Sequence, residues 1–381
     1  MTRSAILLLA LAMCSCVHQS PTAKAGNLSR VDADAALRTL WSERQLQLKH
    51  ERSAEFQSRT IELSGKTLRW EELVFGEAPT NGHSLWISMH GGGNAAARVN
   101  DRQWTNQMSL YKPAEGIYVA PRAPTDTWNL WHQTHIDPMF NRLVEDYVAL
   151  RGVNPDRVYI LGYSAGGDGV WQLAPRMADR WAAAAMMAGH PNDASLLSLR
   201  NLPFALFVGG NDAAYNRNKI VAERAAELDK LREADPGGYE HLARIYPDLP
   251  HWMNRKDAEA IPWMAQHTRD PWPKKVVWRQ DDVTHTRFYW LAVPPAEAKA
   301  KNKIVAEVDG QNIVLTGDVP KGIILRLSDA LVNLDKPLRV SVNGREVFRG
   351  RVARRTEVIR ESLQERADPR SAATAKLILS W

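Results

Sequence analysis

The sequence predicts an α/β fold: a mostly parallel sheet flanked by helices, followed by a small, sandwich-like β domain. Three observations carry this reading. "LWISMH", "GIYVAP", "RVYILG", "AAAAMMAG" and "FALFVGG" are short, mostly apolar runs separated by helical stretches such as "MFNRLVEDYVALRG". That is the pattern of strands buried on both faces. Polar, mostly glycine-bearing clusters ("HGGGN", "GYSAGGD", "GHPND" and "GGNDAAY") follow those runs, at the strand ends where such sheets bind ligands. Past Lys275 the pattern changes to "KKVVW", "RFYWLAV", "KIVAEVDGQNIVLT", "GIILRL" and "LRVSVNGREVFRG", strand-like runs with Asp-Gly and Asn-Gly turn signals.

Composition sets the bounds. With 381 residues, 44% hydrophobic and 24% charged, the chain is an ordinary globular sequence, long enough for two domains. The net charge of +6 is mild, and no Lys/Arg block or basic, aromatic-interleaved stripe resembles a nucleic-acid surface, so no nucleic-acid partner is expected. Fourteen tryptophans are read as core and interface packing; a sugar-stacking platform would require a row of them to be exposed.

Taken in order, residues 1–16 read as an export signal. Arg3 is followed by "AILLLALAM", an apolar stretch too short to span a bilayer. Cys14 and Cys16 stand at its end, where a cysteine resembles the acylated first residue of bacterial envelope lipoproteins. Cys16 is the preferred lipidation site because Ser15 supplies a small residue before the cut; a plain cleaved signal is the alternative. A lipid anchor is the only membrane contact expected. No other cysteine follows, so no intramolecular disulfide is expected despite export. Residues 17–58 hold a polar leader and a helix that opens with Ser29 and Asp32 in capping-box-like spacing. Residues 59–270 form the predicted catalytic domain, which opens with a hairpin broken at Gly65. Residues 275–381 form the β-rich accessory domain, with "TEVIRESLQER" as its helical exception and "AKLILSW" as a final strand. Its expected role is to cover and stabilise the catalytic body, with polymer binding as the alternative.

The chemistry concentrates in "GYSAG". In G-x-S-x-G between a strand and a helix, the serine occupies a sharp, strained turn, and glycines flank it because a Cβ would collide with the neighbouring strand and helix. Ser164 is therefore the candidate nucleophile. A serine hydroxyl needs a base and an orienting acid, here in the order Ser, Asp, His. Asp212 follows "FALFVGG", and His251 sits in "DLPHWM". Asp193 in "GHPND" also follows a strand end and stays open as the acid. Among other histidines, His90 belongs to the "HGGG" loop, His190 precedes Asp212, and His267 and His285 fall near or past the end of the pattern. Backbone N–H groups of Gly91, Gly92, Gly93 and Ala165 are the candidate oxyanion donors. His132, His135 and Asp137 lie at short spacing, but without HExxH or a cysteine partner they predict no metal. Asp168, on the first turn of the following helix, suits the positive helix end.

These motifs, over residues 70 to 265, resemble the α/β-hydrolase superfamily, and within it the group of dienelactone hydrolases, polyhydroxybutyrate depolymerases and feruloyl esterases, which pairs "HGGG" with "G-x-S-x-G". The resemblance implies acyl transfer to water through an acyl-serine, on a small-molecule or polymeric ester, with no cofactor. A serine peptidase of the prolyl-oligopeptidase kind is the alternative, set back because too few residues precede the "HGGG" loop for a propeller. A non-enzymatic binding protein on the same scaffold is the third reading.

Overall fold

The computed structural model describes residues 27–381, so the export signal, Cys14 and Cys16 lie outside the described residues. Helix α1 (Arg30–Ser58) begins at Ser29, whose hydroxyl accepts the Asp32 N–H at 3.1 Å, as the spacing predicted. It leads into a hairpin of β1 (Thr60–Leu63) and β2 (Lys66–Phe75), turning through Ser64 and Gly65, both with positive φ. Then come β3 (Leu85–Met89), α2 (Ala97–Gln107), β4 (Gly116–Arg122), α3 (Ile136–Arg151), β5 (Val158–Tyr163), α4 (Ala165–Arg176), β6 (Ala183–Met187), β7 (Phe204–Gly209), α5 (Arg217–Ala234), β8 (His241–Tyr246) and the short α6 (Ala260–Met264). The eight strands form one sheet in the order β1-β2-β4-β3-β5-β6-β7-β8, antiparallel at β1-β2-β4 and parallel beyond.

Strands β3 to β7 are buried at every position, which is why they read as unbroken apolar runs rather than alternating ones. The chain places β4 on one side of β3 and β5 on the other, so connections diverge between β3 and β5. A crevice opens outside the carboxyl ends of strands at such a switch point. Both polar clusters predicted to carry the chemistry, after β3 and after β5, meet there.

The C-terminal part holds two further sheets. Strands β9 (Lys275–Arg279), β10 (Arg287–Phe288), β11 (Leu291–Ala292), β12 (Lys303–Asp309), β13 (Asn312–Gly317), β14 (Ile324–Leu327), β15 (Leu338–Val342), β16 (Arg345–Gly350) and β17 (Ala375–Ile378), with α7 (Thr356–Glu365), build a five-stranded sheet β16-β15-β13-β12-β9 and a four-stranded sheet β10-β11-β14-β17. The β15–β16 hairpin turns through Asn343 and Gly344, both at positive φ, as its Asn-Gly signal requires. "RFYWLAV" is not one strand. It is a tight β10–β11 hairpin that turns at Tyr289 (φ 51°), whose N–H and hydroxyl bond Asp179 and Ala178 beside the main sheet.

That contact is part of a buried seam. Arg269 reaches Asp156 and Asp368 at 2.8 Å each, Arg370 caps the other oxygen of Asp156 at 2.7 Å, and Arg366 pairs with Asp179. The apolar cores of the two parts are one continuous cluster. Helix α1 also ties them, packing Leu40 against Ile359 and Leu363 of α7 while Arg52 and Glu55 pair with α3. Deleting residues 274–381 removes partners of Asp156 and Asp179. An unpaired buried charge costs about 3–5 kcal/mol. Truncation is therefore expected to cut soluble yield and lower the melting temperature of what remains by on the order of 10 °C or more. A truncated chain that stayed soluble and melted with the full-length protein would show that the main sheet stands alone and would return polymer binding as the role of the second part.

Candidate active site

Ser164 joins β5 to α4 with φ 57° and ψ −120°, a backbone conformation costly for any residue with a side chain. The glycines around it are steric requirements. A Cβ on Gly166 would come within 2.1 Å of the Met89 carbonyl oxygen on β3, and one on Gly162 within 2.3 Å of the Gly166 oxygen. With these two glycines the helix packs hard against the sheet, and the turn lifts the Ser164 hydroxyl into the crevice.

His251 comes to it from the loop after β8. Its Nε2 lies 3.0 Å from Ser164 Oγ, and its Nδ1 lies 2.7 Å from Asp212 Oδ2. Asp212 follows β7 and is buried, whereas the His251 side chain is 41% exposed. The histidine loop crosses directly over the end of β7, where a Cβ on Gly209 would meet the Pro250 oxygen at 2.1 Å. Both glycines of "FVGGND" thus make room for the base. Tyr163 fixes the same loop: its hydroxyl donates to the His251 carbonyl at 2.6 Å and accepts the Met253 N–H at 3.0 Å. Nothing in the sequence marked this role of Tyr163. Asp193 is exposed on the loop after β6, whereas Asp212 is hydrogen-bonded to His251, so the geometry selects Asp212.

The "HGGG" loop closes over the serine. A Cβ on Gly91 would lie 3.1 Å from Ser164 Cβ. His90 is buried, its Nδ1 donating to the Gly91 carbonyl at 2.6 Å while its Nε2 accepts the Ala123 N–H at 3.1 Å, which requires the neutral ring. Burial agrees, lowering its pKa to about 4. Because the peptide is planar and trans, holding the Gly91 carbonyl on His90 turns the Gly92 N–H the opposite way. The N–H groups of Gly91, Gly92 and Ala165 have no hydrogen-bond partner among the described residues. Gly93 corrects the sequence reading. Its N–H donates to Asn100 Oδ1 at 2.8 Å, so it anchors the loop and is not available to an oxyanion.

A strained serine at the switch point, followed in chain order by its hydrogen-bonded acid and base, decides the architecture. The chain has the α/β-hydrolase fold.

The other sequence candidates fall outside the Ser164, His251 and Asp212 cluster. Asp137 pairs with His285 at 2.8 Å, His190 accepts the Asn192 N–H, and His267 lies beside Glu240. Among the described residues, no group of three or more His, Cys, Asp or Glu side chains is placed to hold a metal. Two cavities flank Ser164. The larger, about 610 Å³, is lined by Gln103, Asn106, Leu110, Tyr163, Trp252 and Arg255; the smaller, about 240 Å³, lies on the Asp168 side.

No family model and no curated protein matches this sequence. Among solved structures it is similar to a thermostable esterase (18% identity, TM-score 0.40, covering 55% of this chain and 62% of that one). It is likewise similar to esterase PE8 (18%, TM-score 0.37, 52% and 98%) and to a carboxylesterase from Mesorhizobium loti (17%, TM-score 0.39, 54% and 99%). The alignment thus spans 62% of the thermostable esterase.

Gly92 offers a direct check of the oxyanion loop. It has φ 107°, and a Cβ there would come within 2.3 Å of Asn100 Oδ1, the acceptor that anchors Gly93. Gly92→Ala is expected to lower kcat for a soluble ester by about 10² to 10³, the usual cost of one lost oxyanion donor. An unchanged kcat would show that this loop does not hold the oxyanion.

Proposed function

We propose that the protein hydrolyses carboxylic esters through an acyl-serine intermediate. The observation that carries this is the continuous hydrogen-bonded line from Asp212 through His251 to Ser164, beneath backbone N–H groups with no other partner. Ser164 Oγ attacks the ester carbonyl carbon while His251 Nε2 takes the hydroxyl proton, and the carbonyl oxygen gathers negative charge against the N–H groups of Gly92 and Ala165. Collapse breaks the bond to the alcohol, which leaves with the proton from His251. Water then attacks the acyl-serine, His251 removes and returns a proton in the same way, and the acid departs. Asp212 holds the imidazole tautomer and stabilises its charged form throughout.

A panel of p-nitrophenyl, feruloyl and amide substrates tests the reading. Ester turnover with little amide turnover is the expected result; amide turnover at least equal to ester turnover would make the protein a peptidase. Failure to react with a fluorophosphonate probe would leave only a binding protein on this scaffold.

The same proposal places the hydrolase on a bacterial envelope. Its support is the charged start, the apolar stretch and Cys16 behind Ser15. Stable attachment needs more than one acyl chain. Cys16→Ser is expected to move the protein from the membrane fraction to a soluble or unprocessed form. If Cys14→Ser does this and Cys16→Ser does not, the modified residue is Cys14.

A further inference from the structure

Most of the fourteen tryptophans are buried or partly buried. Trp70, Trp86, Trp131, Trp171, Trp181 and Trp290 are fully buried. Among the described residues only three aromatic side chains are exposed: Trp128 (59%), Tyr215 (75%) and Trp252 (45%). All three line the cavities on either side of Ser164, Trp252 the larger, Trp128 and Tyr215 the smaller.

The smaller cavity is built in an unusual way. Tyr215 and Asn216 both have positive φ (55° and 56°), a backbone that side-chain-bearing residues rarely adopt, and the Tyr215 ring is held by the Arg217 guanidinium 4.8 Å from its centroid. Arg217 itself is 9% exposed, and its buried Nε has no hydrogen-bond partner among the described residues. Its nearest carboxylate is Asp212 Oδ1, at 3.7 Å, too far for a hydrogen bond. Asp168 faces the same space with one oxygen accepting the His190 N–H at 2.6 Å.

We propose that this cavity is the subsite for a neutral, hydroxyl-rich ring, a sugar unit joined to the scissile ester, with Trp128 and Tyr215 as its stacking faces and Asp168 and Arg217 as its hydroxyl partners. The proposal rests on the ester-hydrolase reading above. Charge and desolvation select this class. Among the lining residues Asp168 offsets Arg217, and burial lowers the pKa of His190 and so favours its neutral form, so the space offers an anionic group no net positive charge. A bare hydrocarbon ring would bury the Asp168 carboxylate without replacing its water. Hydroxyls both donate to a carboxylate and accept from a guanidinium, and the C–H faces of a pyranose lie flat on aromatic rings. At about 240 Å³ the space falls below the ~300–1,000 Å³ of drug-sized pockets, so it holds one ring.

Three acetates of primary alcohols on six-membered rings test this: methyl 6-O-acetyl-β-glucopyranoside, cyclohexylmethyl acetate and 4-(acetoxymethyl)cyclohexane carboxylate. The wild-type full-length protein is expected to prefer the sugar acetate at least tenfold in kcat/KM over both others. Trp128→Ala and Asp168→Asn, checked for unchanged melting, are expected to cut that preference at least fivefold, mainly through KM. Equal use of the three, preference for the cyclohexyl or the carboxylate ester, or a preference insensitive to both variants would overturn the subsite while leaving the esterase. Wild-type protein inert toward p-nitrophenyl acetate and all three esters would instead overturn the hydrolase reading.

Discussion

Ser164→Ala is expected to lower kcat for p-nitrophenyl acetate by on the order of 10⁴ to 10⁶, leaving only the rate that the oxyanion loop and binding supply. The size follows from what is lost. No covalent intermediate forms, and His251 has no hydroxyl to deprotonate. The fold should tolerate the change, because the Ser164 side chain bonds only His251 and its backbone N–H remains on the Met187 carbonyl at 2.8 Å. Alanine must adopt the same φ of 57°, as serine already does, so no new backbone strain is added. A variant melting like the wild type and retaining more than a tenth of its kcat would remove Ser164 from the mechanism. Loss of fluorophosphonate labelling alongside the loss of turnover would locate the nucleophile directly.

Asp212→Asn is expected to cost about 10⁴ in kcat, because an amide in place of the carboxylate favours the wrong imidazole tautomer and no longer offsets the imidazolium charge. Asp193→Asn, on an exposed loop, should change kcat by less than twofold. The pair of variants separates two residues that the sequence leaves open, although the place of Asp212 after the penultimate strand of the pattern favours it. Equal damage at both, or greater damage at Asp193, would mean that the His251–Asp212 hydrogen bond of 2.7 Å is not the catalytic one.

The nucleophile and its partners were legible because their constraints are local or ordinal. Gly162 and Gly166 are glycines since backbone oxygens stand 2.1 to 2.3 Å from where their Cβ atoms would be, and that requirement leaves a mark at fixed spacing around Ser164. The order Ser, Asp, His follows from the sequence of strands. "RFYWLAV" misled because its unbroken apolar run, apolar on both faces, reads as one strand, whereas hydrogen bonds from the Tyr289 hydroxyl and N–H to Ala178 and Asp179 accompany its turn into a two-residue hairpin. Gly93 misled because a glycine run does not say which N–H is already spent, and the acceptor, Asn100, lies on a helix that begins after the loop has ended.

What the sequence by itself determined is therefore the α/β architecture, the strained serine turn and the set of residues from which a triad could be drawn, all encoded in periodicity and steric exclusion between near neighbours. Only the tertiary structure decided that Asp212 rather than Asp193 meets the base, that Tyr163 carries the histidine loop, and that three exposed aromatic rings gather beside Ser164. Those outcomes depend on distances between segments far apart in the chain, which the packing of the sheet sets and no local pattern records. The same holds for the seam of Asp156, Asp179, Arg269, Arg366 and Arg370 that joins the two parts. Each of these residues looks like an ordinary surface charge in sequence, and all but the exposed Arg370 are buried because an oppositely charged partner from a distant segment replaces their water.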